Sequence, residues 1–90
     1  MSEQLLDVSG LEPPEPLVQT LAAAEGLPAG TYLRMLHRRD PCLLPGNLSQ
    51  RGFTFVQRPG RRTAVEVFIW RENDAAAEAA ARATLAAENP

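Results

Sequence analysis

The residues best suited to chemistry are His37-Arg38-Arg39-Asp40-Pro41-Cys42, which place the sole histidine and the sole cysteine of the chain within six positions. An imidazole titrates near neutrality and serves as base or ligand. A thiol beside guanidiniums and a helix N-terminus gains thiolate character. A second stretch, Glu12-Pro13-Pro14-Glu15-Pro16-Leu17, sets a carboxylate among three prolines at the start of an apolar helical pattern. Proline is tolerated in a first helical turn, and Glu15 suits the positive end of the helix dipole.

Three uses of these residues are open. Cys42 could be the thiol of a sulfur or redox site, its thiolate stabilised by Arg38 and Arg39. His37 could be a metal or haem ligand. Or Asp40 caps a following helix, His37 packs at a strand end and the arginines are solvated. One His, one Cys and scattered acids fall short of any recognised metal-ligand spacing, so no metal or cofactor is expected. No nucleophile–base–orienter set can be assembled and no phosphate-binding glycine loop is present, which favours a binding module over an enzyme.

The elements that position these residues follow from periodicity. Gln4–Val8 reads as a first strand with Leu6 and Val8 facing inward, and Pro14–Glu25 as a first helix with Leu17, Leu21 and Ala24 on one face and Val18 beside them. Gly26 stands where a left-handed cap would fit and Pro28 blocks continuation. Thr31–His37 is a second strand, mixed on both faces and hence central. The connection from strand one through helix one to strand two makes these strands parallel. Their carboxyl ends then share one sheet edge, where open α/β sheets bind ligands, so Pro13, Pro14 and Glu15 should lie beside His37, Arg38, Arg39, Asp40 and Cys42. Leu44–Arg51 is a short second helix, and Phe53–Arg58 with Thr63–Arg71 forms a hairpin around Pro59-Gly60.

The fold expected is an α+β two-layer sandwich of order β-α-β-α-β-β, a four-stranded mixed sheet with two helices on one face. Residues 1–72 form this domain. Residues 73–90 are Ala-rich with Leu85 as the only large apolar residue, and read as a frayed helical or disordered tail outside the core. On that reading one sheet face stays open, and Phe68, Trp70 and Tyr32 on it suggest a protein-partner surface or a homodimer contact.

Ninety residues make one domain. No apolar run approaches the ~18–20 residues needed to span a bilayer, and Met-Ser-Glu-Gln does not begin a signal peptide, so no membrane is expected and a cytoplasmic location is. Charge is uneven: five acids and no base in residues 1–30, eight arginines against Asp40 and Glu66 in 31–71, then four acids and Arg82. The asymmetry hints at an anionic partner. A phosphate-contacting face of Arg34, Arg38, Arg39, Arg51, Arg58, Arg61 and Arg62 would suit nucleic acid, but the pI of 5.3 and the acidic first third oppose it.

Leu6-Asp7-Val8-Ser9-Gly10-Leu11 with Pro14-Glu15-Pro16-Leu17, and Leu27-Pro28-Ala29-Gly30-Thr31-Tyr32-Leu33, resemble the signatures of the TusA-like (SirA-like) sulfur carriers over Leu5–Arg71. The resemblance implies the same β-α-β-α-β-β fold. In that family the first residue of a Cys-Pro-x-Pro motif carries a persulfide for a sulfur relay; here that position is Pro13, which cannot, and the Arg often found before the glycine is Ser9. The chain is similar instead to a bacterial branch of unknown function with a Pro-Pro-x-Pro opening and a His-x-x-acid-Pro stretch, matched by His37, Asp40 and Pro41. The function expected is that of a small binding or adaptor domain. Its Pro13–Glu15 turn and His37–Cys42 loop would dock a protein partner or a small anionic ligand. Sulfur transfer or redox chemistry through Cys42, and weak nucleic-acid binding, are the alternatives.

Overall fold

A computed structural model of the protein describes residues 2–88. The chain runs β1 (Glu3–Asp7), α1 (Glu15–Glu25), β2 (Tyr32–His37), α2 (Leu44–Gln50), β3 (Phe53–Pro59), β4 (Val65–Arg71) and α3 (Ala75–Ala87). The strands form one mixed sheet in the order β1-β2-β4-β3. β1 runs parallel to β2, with Leu6 opposite Met35, and β4 is antiparallel to both β2 and β3. Both central strands alternate between two buried faces, as their mixed patterns require.

The first layer packs α1 and α2 on one face. Leu33, Met35, Val67 and Ile69 point into it and meet Val8, Ala24, Leu44 and Leu48. Leu17 and Leu21 pack against this core, whereas Val18 is 54% exposed because it lies a quarter-turn off the inward stripe. Gly26 does not take the left-handed cap conformation (φ −92°). Arg71 instead closes the end of α1 by donating to Glu25 O at 2.7 Å and Leu27 O at 2.6 Å. Positive φ falls at Gly30 and Gly52. Gly60 is needed for space, because a Cβ there would run into the Thr63 carbonyl.

The second layer departs from expectation. Residues 75–87 are not a tail outside the core but a helix laid across the other sheet face. Asp74 caps it, accepting from the Ala77 N–H at 3.0 Å and from the Gly30 N–H at 2.8 Å. Glu78 and Arg82 pair one turn apart. Tyr32, Phe68, Trp70, Ala77 and Ala81 form a second buried cluster, with Val56, Ala80 and Leu85 at its margin. Tyr32, Phe68 and Trp70 are therefore no partner surface, and the open face through which a homodimer was expected is filled by α3. Physically, a helix with little to bury of its own can still be held when the sheet supplies the large side chains. Small alanines let its backbone approach the aromatic layer closely.

A charged cluster closes the far end of α3. Arg34 reaches Glu66 at 3.0 Å, Glu88 at 2.7 Å and Glu3 at 3.5 Å, while Arg58 reaches Glu66 at 3.2 Å and Glu88 at 2.6 Å. Both guanidiniums lie over the Phe68 ring, 5.1 and 4.9 Å from its centre. Tyr32 Oη bridges Glu3 and Thr84, and burial followed by Glu3 pushes its phenol up to about 12. Glu66, 3% exposed, is thus a buried carboxylate with two cationic partners.

Candidate functional site

The carboxyl ends of β1 and β2 open onto a cavity of about 360 Å³. Its wall is built from the proline turn and first turn of α1 (Pro13, Pro14, Pro16, Leu17), the end of β2 (Met35, His37), the following loop (Arg39, Asp40, Pro41, Cys42) and the start of α2 (Leu43, Leu44). The two stretches singled out from sequence meet here because parallel β1 and β2 discharge their loops at the same sheet edge. Pro13 and Pro14 are joined by a cis peptide bond. α1 begins at Glu15 with Pro16 in its first turn, so the prolines form a rigid lip.

The polar residues of the wall differ in how they are held. His37 is 7% exposed, and its Nδ1 has no hydrogen-bond partner among the described residues. Burial, then the charges of Arg38 and Arg39, hold its pKa below the ordinary 6.5, so the imidazole is neutral at pH 7. Asp40 accepts from Gln57 Nε2 at 3.4 Å and does not cap α2, whose N-cap is Leu43 without a side-chain bond. Cys42 is exposed. Arg39 is exposed and makes no ion pair among the described residues.

Of the residues expected at the site, Pro13, Pro14, His37, Arg39, Asp40 and Cys42 line the cavity. Glu15 and Arg38 do not. Glu15 turns along α1 toward Gln19, and Arg38 is taken by Glu12 at 2.7 Å. Pro41 belongs to the loop singled out from sequence, but sequence reasoning gave no site role to the rest of the apolar wall: Pro16, Leu17, Met35, Leu43 and Leu44. One signal was present, the Leu43-Leu44 pair. Helical spacing turns Leu44 inward, so its neighbour is left over, and Leu43 stands 67% exposed at the rim.

Among the described residues no group of three or more His, Cys, Asp or Glu is placed to hold a metal ion, and no helix is long and apolar enough to cross a membrane. Five of the seven arginines weighed for a phosphate-contacting face are engaged within the protein. Arg34 and Arg58 are in the cluster under α3, Arg38 and Arg51 pair with Glu12 and Glu25, and Arg61 donates to Glu88 O.

No curated protein and no solved structure matches the chain. Residues 5–71, which include every residue of the cavity wall, match a family described as uncharacterized conserved protein (DUF2249), and the chain belongs to that family.

Proposed function

We propose that the protein is a binding domain whose ligand enters the cavity at the carboxyl ends of β1 and β2, on a scaffold similar to that of the TusA-like sulfur carriers but without their carrier cysteine. The observation that carries this is the buried, neutral His37, whose Nδ1 has no hydrogen-bond partner among the described residues, in the wall of a mostly apolar cavity. A buried polar atom without a partner costs free energy, and a bound molecule whose entry uncovered Nδ1 and supplied the missing hydrogen bond would recover it. The prolines and the exposed Leu43 give such a molecule an apolar, preformed seat, the usual composition of a small-ligand site. Docking of a protein partner would use the same rim, with a side chain of the partner in the cavity. The test is a fragment screen by ¹H–¹⁵N correlation spectra on the wild type and Leu17→Trp, which fills the cavity from α1. Saturable shifts at His37, Cys42 and Leu44 in the wild type, lost in the variant, are expected. Hits scattered over the surface, or unaffected by Leu17→Trp, would sink the reading.

A second reading is favoured by the exposure of Cys42 on the cavity wall. In it the thiolate accepts one sulfur from a donor persulfide, the donor leaving as its thiolate, and passes it on. Intact mass after incubation with a cysteine desulfurase and cysteine decides it: addition of one sulfur, absent in Cys42→Ser, establishes the carrier. A mass that stays unchanged removes it.

A further inference from the structure

We propose that the cavity takes a small monoanion with an apolar body, such as a short-chain carboxylate, its anionic group held by Arg39 and its body among Pro13, Leu17, Met35 and Leu44. This rests on the binding-domain reading above. Size sets the first limit. At about 360 Å³ the cavity sits near the lower end of the ~300–1,000 Å³ span of small-molecule sites, so it suits a metabolite-sized guest. The wall sets the second. Eight of its twelve residues are Pro, Leu or Met, so most of the guest must be apolar.

Charge sets the third. Arg39, Asp40, His37 and Cys42 are the only polar members of the wall. Asp40 accepts from the Gln57 amide of β3, which leaves its charge in place but ties it toward β3, and the charges that bear on His37 are those of Arg38 and Arg39. Arg38 is paired with Glu12, and Arg39 is the cation of the wall that makes no ion pair among the described residues. A guanidinium presents paired donors that match a carboxylate. His37, neutral and 7% exposed, can share a hydrogen bond with the same group or with a polar atom next to it.

The experiment titrates hexanoate, 1-hexanol and hexylamine, which share one apolar body and differ in head group, into the full chain, and follows backbone amides together with the imidazole of its single histidine. Hexanoate is expected to give saturable shifts at His37, Cys42 and Leu44, and to raise the pKa of His37 by bringing a negative charge beside it. Arg39→Gln, at an exposed position without an ion pair among the described residues, is expected to fold normally and to weaken hexanoate about tenfold or more. Equal binding of hexanol and hexanoate, or hexanoate binding indifferent to Arg39→Gln, would overturn the anion assignment and leave the cavity reading standing. No cavity-centred shift with any of the three would overturn both.

Discussion

A chain shortened to end at Glu72 is expected to lose about 3–6 kcal/mol of unfolding free energy. The shortening removes α3 and returns Tyr32, Phe68 and Trp70, now 0–1% exposed, to water. Burying one large side chain is worth ~1.5–3 kcal/mol, and three are uncovered in part. The intrinsic helix terms nearly cancel, because alanine propagates a helix at little net gain or cost, so packing decides the difference. A domain of this size has only ~5–15 kcal/mol in hand. Trp70 is the single tryptophan, so its emission should move to longer wavelength and its urea midpoint should fall well below that of the full chain. An unchanged midpoint and an unchanged emission in the shortened chain would show that α3 does not cover this face.

Arg34→Ala is expected to cost about 2–4 kcal/mol, the larger part from leaving the buried Glu66 carboxylate with Arg58 alone. The substitution also removes one guanidinium from the Phe68 ring and one tie to Glu88 at the end of α3. Arg34→Lys should recover only part of the loss, because a point charge cannot serve Glu3, Glu66 and Glu88 together. Glu66→Leu in the Arg34→Ala background is the informative double variant. If the uncompensated charge dominates, the second substitution should be less damaging there than alone.

The same cluster shapes the response to acid. The hydrogen bond from Arg34 holds the Glu88 carboxyl below its ordinary 4.5. Ser9 does the same for Asp7, and the Ala77 and Gly30 N–H groups for Asp74, both below 3.8. Each of these groups binds fewer protons folded than unfolded. Their stabilisation is complete above the ordinary value and fades as pH falls through the folded one. His37 is also held below its ordinary 6.5, so the unfolded chain takes up that proton first and stability begins to decline below pH 6.5. The melting temperature should therefore fall gently below about pH 6.5 and more steeply below about pH 4.5. His37→Gln should flatten the first stage and Arg34→Ala should reduce the second.

Much of the first layer was legible in the chain because each signal was local. The alternation of Val65, Val67 and Ile69 against Glu66, Phe68 and Trp70 fixes which side of β4 faces which layer, and the structure keeps that division. The β-α-β order makes β1 and β2 parallel and brings the proline turn and the His37–Cys42 loop to one edge. Neither result depends on distant partners. A period of two and a short crossover leave the backbone little choice.

Tertiary structure alone decided the rest. Nothing in Ala75–Ala87 signals burial, because the apolar area that holds this helix belongs to Tyr32, Phe68 and Trp70 on the sheet, and buried area is a property of a pair of surfaces. The candidate site divides in the same way. Sequence placed Glu15 and Arg38 beside His37, but each side chain found a nearer partner, Gln19 and Glu12, and left the cavity. Arg39, which makes no ion pair among the described residues, stayed at its wall. Backbone order brought the two stretches together. Which of their side chains face the cavity was settled by competition among hydrogen bonds and charges that only the folded chain brings within a few ångströms.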